Sequence, residues 1–518
     1  MRNFFIIIIS VFMIANISLF SEEEVKDLTL KEAIFNALKN NIDIQIEMTN
    51  AENARLSKII GDTIFIPNFS ISAGSSETNS PSSGVLSGAD VNKNENLNVD
   101  LKLEQRYALG GTFSIELKNS RRKSNSFFST INPVLNSELN FSISQPLLKG
   151  FGTFATKKDI LISMNEHIRS KHQLKNSIIE LIYNVEDYYW NLVYQIQSMD
   201  AINKSLQRAR KLLKQNELRV KVGVSAPIDI LEAKAEVASY ESQIIQAEKN
   251  VQLAENNLKK ILNISLEKFV INPVDIPEKL SIPVDFNGFL LEALNNRPDI
   301  KRAKLDMANN KIRVKYARNQ MMPDLQLTAS YYTTGQGGDQ LIYGPGSIFE
   351  SRPVIGVVTK DVWNTINDTV SNIYKNFSVR LDLTLPLSNK KVKAELMKSK
   401  LNLKSSFLSL KKVENDIYAE VKDVVKELET NAKLVESNKI ALKLEERKLK
   451  AEEKKLSVGL STNYQVLNYQ RDYATALTNS LKSVVDYMMT IAKINKVLAR
   501  TFTVYKINFS DFGKVEQK

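Results

Sequence analysis

Two short stretches, "VKVGVSAPIDIL" at 220–231 and "KLSVGLSTNYQVL" at 455–467, decide how the rest of the chain reads. Each sets a Val-Gly pair between long runs of helical periodicity. Gly223 and Gly459 suit the left-handed position that ends a helix. After the first, Ser225 and Pro227 fit a helix start; after the second, Thr462 and Gln465 stand at capping-box spacing. Both stretches therefore predict a tight turn between two helices, over 222–226 and 458–462.

Working outward, the two turns lie 236 residues apart, and that shift aligns much else. Val185, Asp187, Leu192, Leu206, Leu213, Lys260 and Leu262 fall on Val421, Asp423, Leu428, Leu442, Leu449, Lys496 and Leu498. Upstream the shift becomes 256, and Ala37-Leu38, Asn40, Asp43-Ile44 and Pro67 fall on Ala293-Leu294, Asn296, Asp299-Ile300 and Pro323. An internal duplication explains both shifts. The expected first repeat is 22–264: helix 30–66, strand region 67–146, long helix 157–221, turn 222–226 and helix 227–264. A Pro-rich linker, 265–288, leads to the second repeat, 289–502, with helix 289–322, strand region 323–386, long helix 390–457, turn 458–462 and helix 463–501. A tail, 503–518, follows.

The long helices carry apolar residues at alternating steps of four and three. Leu174, Ile178, Leu181, Val185, Tyr188 and Leu192 start the first series, which Gln195 and Asn216 interrupt; Leu410, Ile417, Val421, Val424 and Leu428 start the second. A sustained 3.5-residue repeat is a coiled-coil seam and needs partners along its length. The strand regions alternate instead. Phe69, Ile71 and Ala73 interleave with Ser70 and Ser72, Leu139, Phe141 and Ile143 with Asn140 and Ser142, and Phe377, Val379 and Leu381 with Ser378 and Arg380. One apolar and one polar face fit a half-buried sheet or a membrane barrel with a wet lumen. Pro67, Pro146, Pro323 and Pro386 bracket these regions and suit helix-to-strand junctions. Two strands per repeat give four per chain, too few to close a barrel alone, so an oligomer is expected. Leu97–Ser120 reads as a further hairpin about Gly110-Gly111, in the wall or outside it, and Gly335–Gly356 as a glycine-rich loop.

Composition narrows the function. The 518 residues hold no cysteine and two histidines, His167 and His172, whose spacing puts them on different helix faces. That leaves no thiol chemistry and little for a metal or a His-based mechanism, so neither an enzyme nor a cofactor is expected. Arg2 followed by an apolar run to Phe20 and then "SEEE" reads as a signal peptide over 1–21. With export, the net charge of +12 gives no reason to expect nucleic acid.

In this order the features resemble the TolC-like outer-membrane efflux protein family. The carriers are the duplication, the Pro-bracketed strands, "SQPLLKGFG" at 144–152, "ALNNRPDI" at 293–300 and the two Val-Gly turns. The resemblance implies a mostly α fold with a β-barrel part: a homotrimer whose coiled-coil helices form a periplasmic tunnel joined to a twelve-stranded barrel in outer-membrane lipid. It implies a passive exit duct for an efflux pump or type I secretion system, working with a periplasmic adaptor and an inner-membrane transporter. Adaptor docking would fall on Val222, Gly223, Val224 and Ser225 and on Val458, Gly459, Leu460 and Ser461. A pore gate would draw on Asp229, Asn463, Gln465 and Asn468. Here the chain departs from the family pattern, with Leu456 for the usual tyrosine, Ser461 for the arginine, and Gln465 and Asn468 for two ring aspartates. The alternative is a non-conducting coiled-coil scaffold or adhesin of the envelope.

Overall fold

Thr29 starts the first helix. Its hydroxyl accepts from the Glu32 amide while the Glu32 carboxylate accepts from the Thr29 amide, a reciprocal cap. From there the computed structural model describes residues 24–82, 90–126, 129–266, 269–277, 283–346 and 352–512; the expected signal segment lies outside them. The chain forms two compact units. One comprises the chain up to Glu52, Arg169–Ala303 and the chain from Leu410; the other comprises Asn53–Ile168 and Lys304–Ser409.

In the first unit, strand β1 (Glu24–Leu28) pairs in parallel with a strand at Phe269–Pro273, inside the stretch read as a linker. Helix α1 (Leu30–Asn40) gives way to α2 (Ile42–Asp62) at Asn41, so the single helix expected over 30–66 is two. Asn41 has extended backbone angles, and its side-chain oxygen accepts from the Ile44 amide to start α2. Helix α3 (Thr153–Thr156) is one turn, and α4 (Lys158–Lys221) is the first long helix. It is followed by α5 (Pro227–Leu262), α6 (Phe286–Asn296) and α7 (Pro298–Asn319). The α6–α7 break divides the stretch read as one helix over 289–322. Arg297 precedes a proline and takes extended angles, as pre-proline residues do.

The core of this unit gathers Ala33, Ile34 and Ala37 of α1, Leu174, Ile178, Val185, Tyr189 and Leu192 of α4, and Leu258 and Leu262 of α5. Toward the end of α4 the buried residue is Leu212, not Leu213. The Tyr189 hydroxyl lies 2.9 Å from the Leu28 carbonyl and 2.7 Å from the Asp275 carboxylate, which also accepts from the Leu30 amide at 2.6 Å. One buried phenol thus joins β1, the start of α1 and the linker.

The second unit holds one antiparallel sheet, together with α3 and parts of α2, α4 and α7. Its strands are β2 (Asn68–Pro81), β3 (Val91–Arg106), β4 (Thr112–Ser124) and β5 (Ile131–Pro146) from the first half. Counting Phe269–Pro273 as β6, the second half adds β7 (Asp324–Tyr343), β8 (Val354–Lys360) and β9 (Tyr374–Thr384). The order is β2-β3-β4-β5-β7, with both β8 and β9 on the free side of β7. β9 pairs with residues 324–334 of β7 and β8 with 338–343, one beyond the other along the same edge.

Among the described residues this sheet has seven strands, where two per repeat are expected. The 97–120 segment joins the sheet as β3 and β4, hydrogen-bonded to β2 on one side and β5 on the other. Gly335 and Gly337, read as loop, lie in β7 and pair with Ser137 and Leu135 of β5, where α8 (Val362–Val370) packs closely over them. A Cβ on Gly335 would stand 2.2 Å from the Thr365 carbonyl oxygen, and one on Gly337 2.0 Å from the Thr365 hydroxyl. Pro67 and Pro323 immediately precede β2 and β7, Pro146 ends β5, and Pro386 follows β9.

Candidate functional site: the paired helix turns

The last two helices of the site are α9 (Lys390–Ser457) and α10 (Asn463–Val497); a single turn, α11 (Thr501–Val504), follows them. α4 turns into α5 as α9 turns into α10, and the two turns share one backbone design. Gly223 has φ 79° and Gly459 φ 81°. The Val224 amide donates to the Arg219 carbonyl and the Leu460 amide to the Lys455 carbonyl, both at 2.9 Å. The glycine amides donate to Val220 and Leu456 at 3.0 and 3.2 Å. These are the two bonds of a Schellman motif, which satisfy carbonyls left open at a helix end. Val222, Val224, Val458 and Leu460 stand exposed, Leu460 at 77%.

The helices leaving the turns start differently. Ala226 is the cap residue of α5, with Pro227 at its first position. Thr462 caps α10 and accepts from the Gln465 amide at 3.3 Å. Polar closure differs as well. In the first turn the Ser225 hydroxyl donates to Asp229 at 2.8 Å, and the Asn216 amide donates to the Asp229 carbonyl at 3.2 Å. In the second, the Ser461 hydroxyl donates to Glu452 at 2.6 Å, and Lys455 pairs with Glu452 at 3.1 Å. Those two contacts hold the Glu452 carboxyl below its ordinary range, the serine bond being the larger cause. Asn216 and Glu452 are 236 residues apart, so one sequence position reaches across both turns. Asn216, an interruption of the seam in sequence, has 0% exposure because it is spent on this link.

Behind the turns, Leu212, Leu456, Val466 and Leu467 form a small apolar cluster. Leu456, which stands where the family pattern has tyrosine, is therefore core. The residues expected at a gate are not gathered. Asp229 is engaged by Ser225, Asn463 is buried with no partner for its side-chain oxygen, and Asn468 accepts from Arg471 at 3.5 Å. Gln465 is exposed, and none of the four bonds another. A groove of about 740 Å³ beside them is lined by Arg208, Lys211, Asn216, Arg219, Glu453 and Gln470, among others.

One pair at this end escapes sequence reading. The Arg471 guanidinium of α10 forks onto the buried Glu236 carboxylate of α5, at 2.7 Å through Nη2 and 3.0 Å through Nε, and ties the two helical hairpins together. At the 236-residue shift Arg471 falls on Ala235, so no repeat signal marks it.

Comparison with known proteins gives a consistent result. A model of the family described as "Outer membrane efflux protein" matches residues 136–263 and 290–493, more than half of the chain. Among curated proteins, the chain is 22% identical over 204 residues to toxin and drug export protein A of Aggregatibacter actinomycetemcomitans. The match takes in 39% of this chain and 43% of that relative's length. Among solved structures, the outer membrane channel CmeC of Campylobacter jejuni superposes with a TM-score of 0.67 at 16% identity, over 92% of this chain and 89% of that one. VceC of Vibrio cholerae, an outer membrane protein, gives 0.63 at 14%, over 90% and 95%. At these identities the likeness carries the fold.

Proposed function

Because the chain belongs to the outer membrane efflux protein family, we propose that it is the passive exit duct of a tripartite efflux pump or type I secretion system. Three copies close the sheet into an outer-membrane barrel above a periplasmic helical tunnel. A periplasmic adaptor docks on the exposed turns at Val222–Ser225 and Val458–Ser461, and an inner-membrane transporter supplies the energy. The observation that carries this reading is the sheet itself. Among the described residues both its edges, β2 and β9, lack outer partners, and one of its faces carries an apolar row across all six long strands, as a barrel shows to lipid. The duplicated element order supports it, since two turns per chain give a trimer six similar docking points.

The name of the curated relative, a toxin and drug export protein, keeps both protein and small-molecule cargo open for this chain. Specificity would lie with the transporter. At the gate, Asp229 is engaged by Ser225 and Asn463 is buried, which leaves Gln465 and Asn468 to reach a neighbouring copy. Purified protein in planar bilayers should conduct in discrete steps, and Q465A/N468A should raise the conductance of each step. A current unchanged by Q465A/N468A removes those two from the gate. A protein that inserts and passes no current is the scaffold of the alternative reading.

A further inference from the structure

Resting on the trimeric duct proposed above, we propose that the β3–β4 hairpin stands in the barrel wall, so that the outer-membrane pore has eighteen strands, six from each chain, and porin width. Four strands per chain would give twelve.

The hairpin cannot be detached cheaply. β3 pairs with β2 from Asn68 opposite Glu104 to Pro81 opposite Val91, and β4 pairs with β5 from Thr112 opposite Ser144 to Arg122 opposite Val134. Removing it from the wall would open both ladders and require β2 to find β5 anew. Its side chains obey the faces of the sheet around it. One row of directly opposed residues runs Phe69, Leu103, Ile115, Phe141, Tyr331, Phe377 across all six long strands. The adjacent row, on the other face, runs Ser70, Lys102, Glu116, Asn140, Tyr332, Asn376. A one-residue slip anywhere would turn Lys102 or Lys118 toward lipid. A hairpin built for water on both faces would not continue the apolar row.

The polar face is also the hollow one. A cavity of about 840 Å³ on it is lined by Asp100, Lys118, Glu138 and Thr334, among others. Lys118 pairs there with Glu116 at 3.3 Å and Glu138 at 3.6 Å, and Lys102 with Glu104 at 2.5 Å. The hairpin therefore brings an ionised inner surface of alternating sign, which stays wet and favours neither cations nor anions. On the opposite face Phe377 is 82% exposed.

Closure agrees with the count. Six is even, so β2 and β9 run in opposite directions, and β9 of one chain can meet β2 of the next as an antiparallel pair. β8 adds no strand at the level of β9, because it occupies the same edge of β7 farther along. Each long strand has at least the nine to eleven residues a tilted crossing needs, about the usual requirement. Barrel diameter grows roughly in proportion to strand number, and barrels of about 16–18 strands leave an aqueous channel. An eighteen-stranded wall would be half again as wide as a twelve-stranded one. The membrane section would then pass bulky solutes freely, and selection would fall to the other end of the duct.

The chain has no cysteine, so single cysteines in the full-length protein report cleanly. In proteoliposomes, K102C and K118C should react with a charged, membrane-impermeant maleimide at least tenfold faster than L101C and L117C, which a lipid-soluble maleimide should reach. Equal labelling of all four by the charged reagent would put the hairpin in water and overturn the inference. Electron cryomicroscopy of the solubilised protein should count eighteen wall strands. A ring of three chains with twelve wall strands overturns this inference and leaves the duct intact; a ring of any other number of chains overturns both.

Discussion

Gly223 and Gly459 hold positive φ with nothing within 4 Å of where a Cβ would stand. Any cost of G223A or G459A is therefore a backbone cost, about 1 kcal/mol for an L-residue in the left-handed region. Since about 1 kcal/mol is roughly a fivefold change in a local equilibrium, amide exchange at Val224 and Leu460 should speed by that factor in the respective variants. Unchanged protection at both amides would mean that the turns do not need glycine. These positions were legible because turn chemistry is local: a glycine, a polar cap and a proline within five residues carry their own instruction. Glu236 and Arg471 carried none, because an ion pair between residues 235 apart is set by packing. The same limit explains Asn463, whose polarity suggested a pore and whose neighbours bury it.

At the scale of elements, the heptad seams located the buried stripes of α4 and α9, with Val185, Leu192, Val421 and Leu428 all buried. They gave no warning of Glu186, the next residue on α4, which is 4% exposed and accepts a short hydrogen bond from the Tyr505 hydroxyl. Its partner sits in the tail, which periodicity could not place. Burial raises the Glu186 carboxyl to about 7, against the opposing pull of the tyrosine bond. The folded chain then binds a proton that the unfolded chain has released between about pH 4.5 and 7. Stability from this residue is complete below the unfolded value and falls as pH rises through the folded one. The difference from the ordinary value of 4.5 to about 7 is worth about 3 kcal/mol. E186Q, neutral at every pH and still able to accept from Tyr505, should abolish that slope. Denaturation midpoints at pH 5 and pH 7.5 should converge in the variant and differ in the parent; equal slopes in both would acquit Glu186.

At the scale of the whole molecule, element types followed from two periods in the sequence, 3.5 and 2, but the strand count did not. Leu97–Ser120 has the alternation of a wall hairpin, yet whether it lies in the wall depends on register with β2 and β5, which only long-range pairing fixes. The helix turns pose the complementary problem, since their chemistry is local while their use depends on another molecule. Val222, Val224, Ile228 and Leu231 at one turn, and Val458, Leu460 and Tyr464 at the other, are exposed apolar side chains next to charged helix faces. Contiguous apolar surface of this kind marks a protein-binding site more often than chance exposure does. A carboxylate placed there would have to be desolvated on docking, at a cost of several kcal/mol per ion left unpaired. V224E/L460E touches neither the Schellman bonds nor the cluster of Leu212, Leu456, Val466 and Leu467, so the barrel should still insert and conduct. Recovery of the adaptor that cross-links to the parent protein in intact cells should fall at least tenfold. Full recovery with normal current would take the turns out of docking and move the adaptor's footprint to the helix flanks.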